Sequence, residues 1–290
     1  MSFSDAASEG AAGPMVNMLL SYPYFDNDAL NDLQRRKDVR LLVDSGAFTA
    51  WKMGRTVKLD EYCEFLTTLP VKPWRYFTLD VIGDPVASLR NYDTMLERGF
   101  HPLPIFTRGD TPAVLERYYA SSDVVGIGSG VGTPRRKGFI NGVMRLAGTR
   151  RVHWLGFTNM EYLKHYRPYM CDSSAWANGA RYGCIRLYMG HGRTLFLDRA
   201  EFARCREQAV FDRIRAFGIE PERLARGDAW HGIWSPNWLI CAASAMYLQF
   251  DLEARIGTLL FNAISSGYNL KLFLQVLDSY RSLHNARAAA

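Results

Sequence analysis

Nowhere in this sequence is there a C-x-x-C pair, and its five cysteines, an odd number, do not suit a closed disulfide framework. That excludes the disulfide-stapled secreted scaffolds and the thioredoxin-type redox motifs, and it sets the expectation of a reducing, cytoplasmic setting. Long apolar runs are missing too. None approaches the ~20 residues that a membrane-spanning helix needs, so no membrane partner is expected. The first fourteen residues, MSFSDAASEGAAGP, have no basic start followed by an apolar stretch. They read as a flexible N-terminus rather than a signal peptide. A strong charge imbalance is also lacking. Lys and Arg number 35 against 29 acids, giving +6 and a pI near 9.1, which suits a phosphate-bearing partner without demanding one. What the chain does have is material for a core: 48% hydrophobic against 22% charged residues is the balance of a folded protein, not a disordered one.

Short apolar runs alternate regularly with longer amphipathic segments. Candidate strands are Val16 to Ser21, Val39 to Val43, Arg75 to Leu79, Leu103 to Phe106, Val124 to Ile127, Val152 to Leu155 and Tyr169 to Cys171, with a weaker one around Ile185 to Tyr188. Between them lie helical patterns such as Leu59 to Leu66 and Pro85 to Arg98; in the second, Val86, Leu89, Tyr92 and Leu96 share a face. Asp84 followed by Pro85 is a helix-start signal, and Pro112 and Pro134 repeat it. Buried strands alternating with crossover helices predict a mostly parallel sheet. About eight such units in 290 residues favour an α/β fold of the TIM-like (β/α)8 barrel type, with a doubly wound open sheet as the alternative. The expected organisation is a barrel catalytic region over 15–194 and a helical portion over 195–290 that completes or packs on it. In that portion, helices are expected at Asp198 to Phe217, Pro236 to Phe250, Asp251 to Ser266 and Leu270 to Leu283.

Polar residues gather where the strands end. The second strand runs into Asp44–Ser45–Gly46–Ala47–Phe48, the third ends in Asp80, and the fourth leads to Thr107–Arg108–Gly109–Asp110. The fifth leads to Gly126–Ile127–Gly128–Ser129–Gly130, the sixth to Leu155–Gly156, and the seventh to Asp172–Ser173–Ser174. In a parallel barrel these positions share the C-terminal rim, where active sites are built. Any one Asp there has an ordinary use as a helix N-cap. Three of them arriving together with glycine-rich turns argue for a site. Paired carboxylates flanking a sugar carbon cleave glycosidic bonds, one attacking the anomeric carbon while the other handles the leaving group's proton. The glycines let backbone approach a flat ligand or a phosphate. Phe48 offers a ring on which a base stacks, although core packing is the commoner fate of a Phe.

These residues resemble the tRNA-guanine transglycosylases, which exchange a guanine for a 7-deazaguanine. That family's nucleophile region, roughly D-S-x-x-P-T-R-N-A-R-x-G, is similar to Asp172–Ser173–Ser174–Ala175–Trp176–Ala177–Asn178–Gly179–Ala180–Arg181–Tyr182–Gly183. Its D-S-G-G-[FY] segment resembles Asp44 to Phe48, its base-recognition Asp resembles Asp80, and its glycine-rich loop resembles Gly126 to Gly132, one residue short. Its L-x-G turn is similar to Leu155–Gly156, and its H-N-L-x-F helix to Asn269–Leu270–Lys271–Leu272–Phe273. The resemblance implies that Asp172 attacks C1′ and holds a covalent glycosyl-enzyme intermediate. It implies that Asp44 protonates the departing guanine and then deprotonates the incoming base. Asp80 would bind the base's amidine edge, Gly128 and Ser129 its other edge, and Phe48 its face, with Ser45, Leu155, Gly156 and Arg181 completing the substrate-binding set. Such chemistry requires the target nucleotide to be unstacked and turned into the pocket.

The departures are informative. The tRNA-acting members carry C-x-C-x-x-C and a following His that bind a structural zinc. The corresponding stretch here, Cys184–Ile185–Arg186–Leu187–Tyr188–Met189–Gly190–His191, holds one Cys with no partner at that spacing. A metal is therefore not expected, and buried thiols are preferred to a site assembled from Cys171, Cys184, Cys205 and His191. This loss points to a diverged branch that inserts a 7-deazaguanine such as preQ0 into DNA, with tRNA as the alternative substrate and a non-catalytic nucleotide-binding barrel as the alternative from another class. Arg135, Arg136 and Lys137 follow the glycine loop at a helix start, where cations are unfavourable, and so are expected to contact nucleic-acid phosphates. His153 and His165 read as structural. The aromatic stretch Arg226 to Trp238 suits either stacking on an unpaired strand or packing.

Overall fold

The computed structural model describes residues 15–22, 27–128, 136–232 and 235–288. By its contacts the chain divides into two compact units. One holds residues 17–173 and 257–263, and the other holds 174–256 together with both terminal segments.

The first unit is an α/β layer structure built on short strands of two to six residues. Its strands are β1 (Val16–Ser21), β2 (Val39–Asp44), β3 (Arg75–Tyr76), β4 (Ile105–Thr107), β5 (Val124–Gly128), β6 (Arg151–Trp154), β7 (Met170–Ser173) and β10 (Leu259–Ile264). They form one eight-stranded sheet in the order β3-β2-β1-β10-β7-β6-β5-β4. The registers β2–β3, β4–β5, β5–β6, β6–β7 and β7–β10 are all parallel. The sheet is curled, a topology consistent with a TIM-like fold. Just past the ends of this order, Phe77 and Leu103 form a parallel bridge. There Thr78 N donates to the Leu103 carbonyl at 2.9 Å and Leu103 N to the Tyr76 carbonyl at 2.8 Å.

Period-two alternation builds the core of this sheet. Leu19, Leu42, Phe77, Leu103, Ile105, Val124, Met170, Leu259 and Phe261 form one buried cluster. Phe261 is fully buried, and its ring stacks on Trp74 at 5.8 Å. The connecting helices are α1 (Asn27–Gln34), α2 (Ala47–Lys52), α3 (Leu59–Thr68), α4 (Pro85–Glu97), α5 (Pro112–Ser121), α6 (Arg136–Ala147) and α7 (Met160–Tyr166). Helix α4 starts as its sequence predicts: Pro85 occupies the first turn and the Asp84 carboxylate accepts from Ala87 N at 2.9 Å.

The second unit contains α8 (Ala175–Arg181), the antiparallel hairpin β8 (Cys184–Gly190) and β9 (Arg193–Asp198), and helices α9 (Arg199–Arg204), α10 (Gln208–Ala216), α11 (Pro236–Ile256) and α12 (Gly267–Ala288). The hairpin turns at His191–Gly192, both at positive φ, the twist that tight hairpins favour. Tyr188 N donates to Ser244 Oγ at 3.0 Å and its hydroxyl to Asp251 at 2.7 Å, tying the hairpin to α11. Trp230 and Trp238 are buried within this unit, and the Trp230 indole donates to the Leu224 carbonyl. Packing is therefore the role of these two rings.

Three expectations need correction. The segment near Ile185 to Tyr188 is a strand, but it belongs to the separate hairpin, not to the parallel sheet. Residues 251–266 are not one helix: α11 runs on to Ile256, and Leu259–Ile264 is β10, the eighth strand of the sheet. The span Asp198 to Phe217 is two short helices, not one. The initial fourteen residues and Pro134 lie outside the described residues.

Because Phe261 is fully buried and joins the core through β10, Phe261→Ala is expected to destabilise the chain by about 3–5 kcal/mol, read from urea unfolding followed by circular dichroism.

Candidate active site

Alternation also explains where the polar groups stand. Ser21 is two residues beyond Leu19, Asp44 two beyond Leu42, and Asp172 two beyond Met170, so each shares a strand face with a residue of the core cluster. Polar side chains thus cap an apolar layer at the C-terminal ends of neighbouring strands.

Asp172 is almost fully buried on β7. Its Oδ1 accepts from the Gly156 amide at 2.9 Å and lies 2.9 Å from Nε2 of His153, a side chain with no exposed surface. Asp172 Oδ2 has no hydrogen-bond partner among the described residues. The other imidazole nitrogen, Nδ1 of His153, is buried without a partner among those residues, and Phe77 packs edge-on against the ring at 4.9 Å. A proton on Nδ1 would be stranded, so the geometry favours the tautomer that carries it on Nε2 and donates to Asp172.

Asp44 Oδ2 accepts from Ser21 Oγ at 3.0 Å and from the Gly46 amide at 3.1 Å. Burial pushes its carboxyl above the ordinary aspartate range; the Gly46 hydrogen bond opposes this, and the charge of Asp172 adds to it. Asp80 receives the Ser45 hydroxyl at 3.4 Å. Its pKa is raised to about 7, first by burial and then by the charge of Asp44. Beside them, Tyr62 is wholly buried and gives its hydroxyl proton to the Phe77 carbonyl at 2.9 Å. The three carboxyls therefore sense one another in sequence, Asp172 acting on Asp44 and Asp44 on Asp80.

The remaining expected residues fall as follows. Ser45 is buried and its Oγ accepts from Ala47 N at 3.4 Å. Phe48 is half-buried on α2 with its ring on Trp51 and beneath the Lys52 ammonium. Gly128 ends β5, where a Cβ would come within 2.8 Å of Ile105 Cγ2, so packing already asks for glycine there. Leu155 N donates to the Ile127 carbonyl, and Gly156 turns at φ 56°, which aims its amide at Asp172. Arg181 lies in the other compact unit and donates to Ser265 Oγ at 2.9 Å. Lys137 is exposed, with its ammonium over the Tyr162 ring. Ser129 and Arg135 lie outside the described residues, as does the side chain of Arg136. Asp110 spends its carboxylate on its own turn, accepting from Thr107 N at 2.6 Å.

Sequence reasoning read His153 as structural and did not foresee its contact with Asp172. Its position two residues before Leu155, on the same strand face, was the available signal; a single His within an apolar strand does not otherwise announce a partner. Ser21 was missed for a similar reason, being the last residue of an apolar strand. Among the described residues, no group of three or more His, Cys, Asp or Glu side chains could hold a metal ion. Nor is any helix among them long and apolar enough to cross a membrane. No family model, curated protein or solved structure matches this chain.

The raised pKa of Asp80 has a definite sign in stability. A carboxyl that ionises near 7 when folded and near 3.8 when unfolded contributes its stabilisation fully below pH 3.8 and loses it as pH rises through 7. Asp80→Asn cannot ionise. Its stability relative to the parent is expected to increase by about 3 kcal/mol between pH 5 and pH 8, measured by urea unfolding at both values.

Proposed function

We propose that this chain is a nucleic-acid guanine transglycosylase, a pentosyl-transferring enzyme that exchanges guanine in DNA for a 7-deazaguanine such as preQ0. The observation that carries the reading is the asymmetric Asp172 carboxylate: Oδ1 is held by His153 and the Gly156 amide, while Oδ2 has no partner among the described residues. A carboxylate pinned by one oxygen presents the other as a positioned nucleophile. A second carboxyl with a raised pKa, Asp44, interacts with it and supplies the acid that such a nucleophile requires. The reading includes closure of the sheet into a (β/α)8 barrel, supported by the Phe77–Leu103 bridge.

In this mechanism Asp172 Oδ2 attacks C1′ of the target nucleotide as the bond from C1′ to N9 of guanine breaks. The electron pair of that bond leaves with the base, and the Asp44 carboxyl gives the base its proton. The free guanine departs, leaving an ester between Asp172 and C1′. A 7-deazaguanine then enters, Asp44 as carboxylate takes its N9 proton, and N9 attacks C1′ to expel Asp172. Protons and electron pairs balance without a further reactant. Asp80 pairs with the donors on the base's amidine edge. With a pKa of about 7 it is only partly ionised in the free protein, and those donors favour its carboxylate form. His153 keeps Asp172 oriented through its contact with Oδ1. DNA is preferred to tRNA on one sequence feature, the lone Cys184 where the tRNA-acting family carries its zinc motif.

Trapping tests the reading. After incubation with guanine-containing DNA, a denaturation-resistant protein–DNA adduct is expected, and Asp172→Asn should abolish it. An adduct with tRNA alone would reassign the substrate. No adduct with either, together with base or nucleotide binding that survives Asp172→Asn, would make the chain a binding protein. The role of His153 has its own test: His153→Leu should slow adduct formation by about 10- to 100-fold, the value of a hydrogen bond to a charged group, and His153→Gln, which retains a donor, should restore most of it.

A further inference from the structure

Immediately after Asp44–Ser45–Gly46, the chain displays an exposed indole, Trp51, and cations that the exchange chemistry does not use. From Ala47 to Lys58 it contains Lys52, Arg55 and Lys58 and no acidic residue. Lys58 is paired with Glu61, whereas neither Lys52 nor Arg55 has a carboxylate partner among the described residues. Trp51 is 54% exposed and Met53 58% exposed, values unusual for side chains of this size. Trp51 stands three residues after Phe48 on α2, the spacing that puts two side chains on one helix face, and the rings stack at 6.0 Å with 29° between planes. The Lys52 ammonium lies 4.6 Å from the Phe48 ring centroid.

We propose that Trp51, with Lys52 and Arg55, is a docking platform for an unpaired nucleic-acid strand, taking the base next to the one that enters the Asp44–Asp80–Asp172 site. This rests on the transglycosylase reading only for the identity of the neighbouring base. The rings of Phe48 and Trp51 are too close to admit a base between them, which would need about 6.8 Å, twice the rise per base. The surface on offer is therefore the outer side of Trp51. A base in a duplex has both faces covered by its neighbours, so an exposed indole selects a strand whose bases are open. Cations with no carboxylate partner among the described residues, beside the exposed Trp51 ring, match a polyanion that carries flat bases. They match a purely apolar partner poorly, because Lys52 and Arg55 would be buried without counter-charge. The platform begins in the same connection that carries Asp44, so a strand stacked on it delivers its next nucleotide toward the carboxylates.

The test is fluorescence anisotropy with a dye-labelled single-stranded DNA 12-mer containing one guanine, the same sequence as RNA, and the DNA as a duplex. Trp51→Ala should raise Kd for the single strand by roughly 5- to 150-fold, the range for losing one stacked base, and Trp51→Phe should recover most of it. Lys52→Ala with Arg55→Ala should reduce the slope of log Kd against log salt by about 1.4. The DNA and RNA arms say which strand is preferred, and the duplex should bind more weakly and ignore Trp51→Ala. An unchanged Kd for Trp51→Ala overturns the platform even if the parent protein forms its covalent adduct. A loss of binding in a protein that forms no adduct sustains the platform and overturns the transglycosylase reading instead. If Trp51→Ala leaves Kd alone and sedimentation shows a dimer becoming a monomer, the platform is overturned and the patch belongs to a second copy of this chain.

Discussion

The hydrogen bonds that hold Asp172 Oδ1 join three consequences of one local geometry. His153 reaches it from inside β6, the Gly156 amide reaches it from the turn after that strand, and β7 presents the carboxylate between them. A buried carboxylate is costly unless donors replace water, and two donors on one oxygen offset much of that cost. The same two donors restrain rotation of the carboxylate, so the second oxygen is presented in a defined direction. In the proposed exchange, forming and breaking a bond to carbon would depend on that restraint more than on any other contact.

Charge coupling follows from it. An ionised Asp172 makes a second ionised carboxylate nearby unfavourable, and Asp44 responds by holding its proton more strongly; Asp44 in turn acts on Asp80. Asp44 and Asp80 are thereby both pushed toward the protonated form. Burial contributes most of each shift, and burial here is set by the apolar layer beneath, where Phe77, Met170 and Phe261 fill the interior of the sheet. Gly126 belongs to the same arrangement. A Cβ there would stand 2.9 Å from Leu155 Cδ1 and 3.1 Å from Phe77 Cε1, so its absence lets Phe77 pack where it also meets His153.

Much of this was legible from residues alone wherever a local rule had no competitor. Strand β1 follows its apolar run from Val16 to Ser21, and α4 starts where Asp84 and Pro85 say it should. Asp44 and Asp172 were recognisable as strand-end acids because strand ends recur with the alternation of strands and helices, whereas β3 stops at Tyr76 and Asp80 follows it by four residues. Errors arose where two patterns were equally local. Leu259 to Ile264 is a short apolar run following a long helical pattern, and such a run has no periodicity that separates a buried strand from a continuing helix. Gly257, at φ 70°, marks the break, but a single glycine near a helix end is a weak signal. The segment around Ile185 to Tyr188 read correctly as a strand, yet nothing in it distinguishes a parallel partner from the hairpin partner it has in β9.

The sequence by itself determined the class of architecture, the alternating order of elements, and the placement of Asp44 and Asp172 at strand ends, because each depends on hydrophobic period and on residues adjacent in the chain. Only the tertiary structure decided that His153 faces Asp172, that Ser21 and Ser45 donate to Asp44 and Asp80, and that β10 is the strand beside β7. Those facts depend on which strands become neighbours and in what register. Contacts between residues 19 or 90 positions apart, such as His153 with Asp172 or Thr258 with Pro168, are settled by packing of the whole sheet and leave no mark at either position alone.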